Sequence, residues 1–451
     1  MFLKSGAHFR LRIAIVAFFL SFLVIWSCLP YDNKVVLIIR IKSENIRYFA
    51  KGTFSSHDRH AHPPGTYPVE ISEVGMIIKT GYGTKDRLEA RLATLGEGWD
   101  ERNTIIAGDY SSRRARKGDL LKNGDEIEVH DVLEGLLDEQ GIDPDSKRMI
   151  LYKKLQKAIE DTDVDEGIPD NIRDLGWELD ILKHIPALEL LYNTHPGMKW
   201  YLMTDDDTYI HNPSLLSVLS TLSPQDPHYL GCAIWRFAHG GSGVVFSQAA
   251  MYKIFTGNPE ILEQSLIEGL TAPLGDQLVA KLAMRNGMYV NEEYAVHFNG
   301  EPPRRSKATA DKACATLVGF HKMNPEEMYE TARIFGNMKG TFTWWDLWAI
   351  FGGKEFNEEN GGLGVDIREG WDYIGWENDE VKMREPGSEL ECMSLCEERS
   401  GCLAWTWEPG RCKVATYFTV GGYPAPGKIS GVHIERMRAI EMRCHGTEAR
   451  S

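Results

Sequence analysis

Three consecutive aspartates, Asp205, Asp206 and Asp207, follow an aromatic and apolar run in the segment MKWYLMTDDDTYI. Adjacent carboxylates repel and raise one another's pKa unless a cation sits between them. The run therefore reads as a strand whose end meets either water or a metal. A solvated turn with an aspartate capping the next helix is one explanation. A site for Mn2+ or Mg2+, hard ions that prefer carboxylate oxygens, is the other.

The pattern upstream narrows the fold. From Val74 a compact apolar run, GMIIKT, leads through Gly81 and Gly83 into KDRLEARLATL, whose apolar residues recur at helical spacing. A second short strand, Thr104 to Ala107, ends in Gly108 and Asp109. The segments ILYKKLQKAIEDT and ELDILKHIPALELLYNT each carry a helical period. Strands alternating with helices predict an α/β domain with a mostly parallel sheet. Ligands in such sheets sit beyond the carboxyl ends of the strands, where Asp109 and Asp205 to Asp207 fall.

Three further segments are candidates for chemistry. FAHGGSGVVFS places Gly240, Gly241, Ser242 and Gly243 where backbone can approach a ligand closely, or simply where a tight bend enters a strand. In APLGDQLVAKLAMRNG, Asp276 either caps an amphipathic helix or projects into a cleft as a base. In TLVGFHKM, His321 ends a short apolar strand as a ligand or as a polar terminus.

Length and charge bound the rest. A chain of 451 residues suits one large unit plus a smaller module. Its formal net charge of -15 excludes broad nucleic-acid binding, which needs a positive surface. The uncharged run Ile13 to Leu29 rises about 25 Å as a helix, enough for a thin internal membrane. It reads as a signal-anchor, with residues 1–12 cytoplasmic and 30–72 a Ser/His/Pro-rich stem; a cleaved signal peptide is the alternative. Of eight cysteines, five lie beyond residue 390, which favours disulfides in an oxidising compartment over a zinc site of irregular spacing. Residues 331–370 combine the aromatic TFTWWDLWAIFGG with the glycine-rich NEENGGLGV, read as a packed segment and a linker, and 371–451 form a disulfide-rich module.

The order strand-DDD, glycine-rich segment, Gly-Asp at a helix start and strand-His resembles glycosyltransferase family 31, the Fringe and core 1 β1,3-galactosyltransferase group. The likeness is carried by GWELDILKHIPALELLYNTHPGMKWYLMTDDDTYI, FAHGGSGVVFS, GDQLVAKLA and GFHKM, over roughly Val74 to Met323, within an expected catalytic domain at 73–330. It looks closest to fungal type II membrane members, although many of those carry Glu-Ala-Asp at the DDD position. The resemblance implies a Rossmann-like GT-A catalytic domain and inverting, metal-dependent transfer from a UDP-sugar to a glycan or glycoprotein hydroxyl. It implies a galactose or other hexose donor, a β1,3 linkage and a Golgi or ER/Golgi lumenal location. Position by position, it makes Asp207 and His321 the ligands of Mn2+ or Mg2+, with Asp205 and Asp206 near the ribose and the metal waters. Asp276 becomes the base, and Gly240 to Gly243 line the sugar cleft. Thr80, Arg87 and Asp109 approach the nucleotide, and Lys183 faces the diphosphate.

The C-terminal module resembles a PAN/Apple domain, which implies Cys392–Cys412 and Cys396–Cys402 pairs and leaves a Cys232–Cys314 pair open. Trp405 and Trp407 either fill its core or stack on sugar. Two other functions compete. A non-catalytic membrane protein that binds carbohydrate or protein through this module predicts no turnover. A glycoside hydrolase predicts a carboxyl pair that needs neither diphosphate nor metal.

Overall fold

The computed structural model describes residues 29–30, 33, 35–40, 63–112, 121–122, 125–126, 128–161, 170–234, 236–352, 367–375, 382–385 and 387–445. The expected anchor helix, most of the stem and the glycine-rich linker lie outside them. Among the described residues no helix is long and apolar enough to cross a membrane.

The elements that place the site begin with β1 (Val74–Lys79), α1 (Lys85–Ala93), β2 (Thr104–Gly108), β3 (Val129–Asp131), α2 (Lys147–Asp161) and α3 (Asp170–Thr194). They continue with β4 (Trp200–Asp205), β5 (Tyr209–Ile210), β6 (Tyr229–Gly231), β7 (Val244–Ser247), α4 (Pro259–Gly269) and α5 (Gly275–Arg285). Strand β1 is buried at every position, as a central strand covered on both faces requires. It pairs in parallel with β2 and β4, and β2 pairs in parallel with β3. Beyond β4, strand β7 runs antiparallel to both β4 and β6. The sheet order is β3-β2-β1-β4-β7-β6, with β7 alone running against the rest. This is the mostly parallel α/β sheet that the alternating pattern predicts.

Helix α3 is apolar at Leu179, Leu182, Ile185, Leu188 and Leu191, all buried between the sheet and its neighbouring helices. On one flank its residues join Leu278 and Leu282 of α5 and Tyr201 and Phe246 of the sheet in a single core. On the other, Leu179 and Leu182 pack with Met149, Tyr152 and Leu155 of α2. Burying a side chain of this size stabilises the fold by about 1.5–3 kcal/mol.

The chain then forms β8 (Lys307–Thr309), β9 (Gly319–Phe320), α6 (Pro325–Phe335) and α7 (Trp344–Phe351). After the linker come β10 (Ile367–Asp372), β11 (Lys382–Arg384), α8 (Glu389–Glu398), β12 (Ala404–Glu408), β13 (Arg411–Ala415), β14 (Tyr417–Thr419), β15 (Tyr423–Val432) and α9 (Ile434–His445). Five of these strands make an antiparallel sheet in the order β10-β15-β12-β13-β11. The Cys392–Cys412 bond ties α8 to β13, and Cys396–Cys402 closes the turn after α8, both as the module's resemblance implies. Trp405 is buried in that core.

The module is fused to the α/β half. Strand β14 pairs antiparallel with β8, and Cys314 bonds to Cys444 of α9 across 130 residues of sequence. The Cys232–Cys314 pair left open by the sequence is therefore not made, and Cys232 belongs to no disulfide. Between the halves lies one aromatic core: Phe320, Phe335, Phe342, Trp344 and Trp348 on one side, Tyr373, Leu403, Phe418 and Met437 on the other. Phe335 stacks on Phe342 at 4.6 Å, and Trp348 meets Phe418 edge-on at 4.7 Å.

A shared core unfolds as one body. Phe418→Ala removes a wholly buried ring and is expected to cost about 3–5 kcal/mol. Denaturation followed by tryptophan fluorescence should show a single transition moved to lower denaturant. Two transitions, of which only one moves, would mean that the halves fold separately.

Candidate active site

The site is built where β1 and β4 end together. Lys79 and Asp205 are register partners, so the last side chains of the two strands lie side by side. Lys79 is 2% exposed, and its ammonium sits 2.8 Å from Asp205 Oδ1 and 3.1 Å from Asp180 Oδ2 of α3. Burial pushes against its charge, yet the two carboxylates outweigh it and hold Lys79 protonated. Asp180 is likewise kept ionised against burial by Lys79 and Lys183.

Asp206 turns the other way, into the first strand-turn-helix. Its Oδ2 accepts hydrogen bonds from Thr80 Oγ1 at 2.8 Å and Thr84 Oγ1 at 2.6 Å. Arg87 of α1 bridges Asp206 and Asp207 at 3.1 Å each. Burial lifts the Asp206 carboxyl to about 6; the Arg87 guanidinium opposes this, and the charge of Asp207 adds to it.

Asp207 faces His321. Strand β9 pairs antiparallel with β5, Phe320 opposite Tyr209, which carries the following histidine back onto the aspartates. His321 Nε2 lies 3.0 Å from Asp207 Oδ1 and 3.9 Å from Asp205 Oδ2. Burial lowers the proton affinity of His321, but Asp207 and Asp205 raise it further than burial lowers it. Asp205, Asp207 and His321 each offer a ligand atom, all within 4.8 Å of one another. Two carboxylates and an imidazole suit a divalent ion of the Mn2+ type. The fit is supported by Asp207 Oδ1, a buried atom without a well-aligned hydrogen bond despite its closeness to Nε2. It is supported again at Gly241, where a Cβ would stand 2.0 Å from His321 Nε2. Only glycine leaves the ring its place.

Asp276 lies across this cleft. The N-cap position of α5 is Leu274, so Asp276 does not cap the helix in the usual way. Its Oδ1 accepts from the Gln277 amide at 2.8 Å, and its Oδ2 is 3.4 Å from the amide of Gly240. The half-buried carboxylate thus borders the segment Gly240–Ser242, which forms a single 3-10 turn closed by Gly243 at φ 90. His184 of α3 packs beneath both: a Cβ on Gly275 would stand 2.2 Å from its Nδ1, and one on Gly240 3.3 Å from its Nε2. Burial, reinforced by Lys79, keeps that imidazole neutral. His239 Nδ1 is 2.7 Å from Ser242 Oγ, and its ring meets His321 at 5.1 Å.

The structure thus brings Thr80, Arg87, Asp205, Asp206, Asp207, Gly240, Gly241, Ser242, Gly243, Asp276 and His321 into one connected cluster. Asp205, which the resemblance places near the ribose and the metal waters, lies close enough to Asp207 and His321 to offer a ligand atom as well. Lys183 and Asp109 lie deeper. The Lys183 ammonium donates to the Thr80 carbonyl at 2.6 Å and to Asp109 Oδ2 at 3.2 Å, while Asp109 Oδ1 accepts from the Tyr82 amide at 2.9 Å. Both side chains are buried and paired with one another, and Asp180 lies 3.5 Å from the same ammonium. Lys79, Thr84, Asp180 and His184 escaped the sequence reading. A signal for three of the site's polar residues exists: Asp180, Lys183 and His184 fall at i, i+3 and i+4, a polar stripe on an apolar helix.

The Fringe-like family model matches residues 183–272. That stretch holds the three aspartates and the glycine segment, whereas Asp276 and His321 lie beyond it. No curated protein matches the chain. Among solved structures, a glycosyltransferase involved in the glycosylation of the major capsid of PBCV-1 is similar at 12% identity, over 57% of this chain and 99% of that one, with a TM-score of 0.28. That overlap is too loose to inform the fold. The Fringe-like match supports a role in glycosyl transfer.

The buried pair under the site should behave as a unit. Lys183→Met strands the Asp109 carboxylate and is expected to cost about 3–5 kcal/mol in urea denaturation. Asp109→Asn added to it should restore much of that loss. An equal loss in the double variant would mean that packing, not charge, holds the pair.

Proposed function

We propose that this chain is an inverting, metal-dependent glycosyltransferase that moves a hexose, galactose being the first candidate, from a UDP-sugar to a hydroxyl of a glycan or glycoprotein. The observation that carries the reading is the Asp205, Asp207 and His321 group at the carboxyl end of the parallel sheet, with Asp276 free of a capping role across the cleft. A divalent ion held there supplies positive charge for a leaving diphosphate. Arg87 fixes Asp206 and Asp207 so that the ligand atoms need no reorganisation. Asp276 accepts the proton of the acceptor hydroxyl. That oxygen bonds to the anomeric carbon as the bond to the diphosphate breaks, and the bonding electrons leave with the nucleotide. The helix start at α5 favours a carboxylate at this position, and the Gly240 amide orients it.

Three disulfides support an oxidising compartment, and with the apolar run at 13–29 the proposal extends to a lumenal enzyme anchored in the Golgi or ER. A β1,3 linkage and a PAN/Apple-like binding role for the C-terminal module belong to the same proposal.

Screening UDP-galactose, UDP-N-acetylglucosamine and UDP-glucose with Mn2+ tests it. Turnover should vanish with EDTA and in Asp207→Ala. Asp276→Asn should lower kcat by about 10² to 10⁴ while UDP binding persists. Chelator-insensitive glycoside cleavage would point to a hydrolase, and failure to bind any UDP-sugar would remove the proposal.

A further inference from the structure

A diphosphate needs cations, and those nearest the aspartates are occupied. Lys79 is held between Asp180 and Asp205, Arg87 bridges Asp206 and Asp207, and Lys183 is tied to Asp109 and the Thr80 carbonyl. Lys322 differs from all three. It directly follows His321, its side chain is half-exposed, and its ammonium lies 2.7 Å from Glu301 Oε1, itself exposed. An exposed single pair of this type contributes little to stability, so its ammonium exchanges one anion for another at small cost.

The backbone holds Lys322 where such an exchange matters. At φ 60 it occupies the left-handed region that side-chain-bearing residues seldom adopt and that clusters at functional sites. Its neighbours maintain that turn: His321 N donates to Glu301 O at 3.3 Å, and Met323 N donates to Asp207 O at 3.3 Å. Lys322 is therefore pinned between the loop that bears Glu301 and the one that bears Asp207.

Building on the nucleotide-sugar reading above, we propose that Lys322 is a diphosphate-binding residue, its ammonium leaving Glu301 for phosphate oxygens of a nucleoside diphosphate held at Asp205, Asp207 and His321. Glu301 keeps the ammonium at the rim of the cleft until that anion arrives. The contact is ionic, and no covalent bond changes.

The test compares UDP and uridine binding to the full chain in Mn2+, by calorimetry and by saturation-transfer NMR. The variants are Lys322→Gly, which accepts the left-handed backbone without strain, Lys322→Arg, which keeps the charge, and Glu301→Gln, which frees the ammonium. Lys322→Gly should lose about 10- to 100-fold in UDP affinity with uridine affinity unchanged. Lys322→Arg should recover most of it, and Glu301→Gln should bind UDP at least as tightly as the parent chain. Unaltered UDP binding by Lys322→Gly overturns the assignment. So does a parallel loss of uridine binding, which marks a scaffold role, or weaker UDP binding by Glu301→Gln. If the parent chain itself binds no UDP in Mn2+, it is the nucleotide-sugar reading that fails.

Discussion

A lysine buried between two aspartates underlies this architecture. Lys79 ends the central strand, Asp205 ends its neighbour, and Asp180 reaches them from the long helix behind the sheet. Removing any one charge leaves the others in a medium that penalises unpaired ions by several kcal/mol, on the order of 3–5. The network therefore fixes the axial position of α3 against the sheet. With α3 come Lys183, which secures Asp109, and His184, which fits beneath Gly240 and Gly275. The placement of Asp276 and the aspartates is thus set in part by ion pairs, one of which runs through Asp205, itself a candidate ligand.

The second constraint comes from the other end of the chain. His321 reaches the aspartates because β9 pairs with β5, and β9 is held by the aromatic core that Phe320 shares with Phe335, Phe342 and, across the seam, Phe418. Strand β14, through β8, and the Cys314–Cys444 bond tie that seam just ahead of the histidine's segment in the chain. The C-terminal module is therefore part of what positions a candidate metal ligand. A disulfide closing so long a loop acts mainly by limiting the unfolded chain, which suits a junction whose partners are far apart in sequence.

Much of the α/β half was legible from local pattern. The apolar run from Val74, the helical periods of ILYKKLQKAIEDT and ELDILKHIPALELLYNT, and the strand that ends in the DDD segment all recur in the structure where alternation put them. The pairs Cys392–Cys412 and Cys396–Cys402 followed from a family likeness, since their loops are short and local. The partner of Cys314 was not legible, because nothing in the spacing links it to a helix 130 residues on. Lys79 was hidden for a different reason. A lysine closing an apolar strand reads as a solvated end, and its burial depends on carboxylates from two other elements.

By itself, the sequence determined which residue types could do chemistry and where along the chain they stood: the aspartates, the glycines, Gly-Asp before a helix and a histidine after a strand. Those are properties of composition and period, and period is a local quantity. Only the tertiary structure decided that Asp205 joins Asp207 and His321 while Asp206 turns to Thr80, Thr84 and Arg87. It also decided that Lys183 pairs with the buried Asp109 and Lys322 with Glu301. Which side chains meet across a cleft depends on strand register and on how helices seat against a sheet. Both are settled by the balance of burial and charge over the whole chain, which no short stretch of sequence contains.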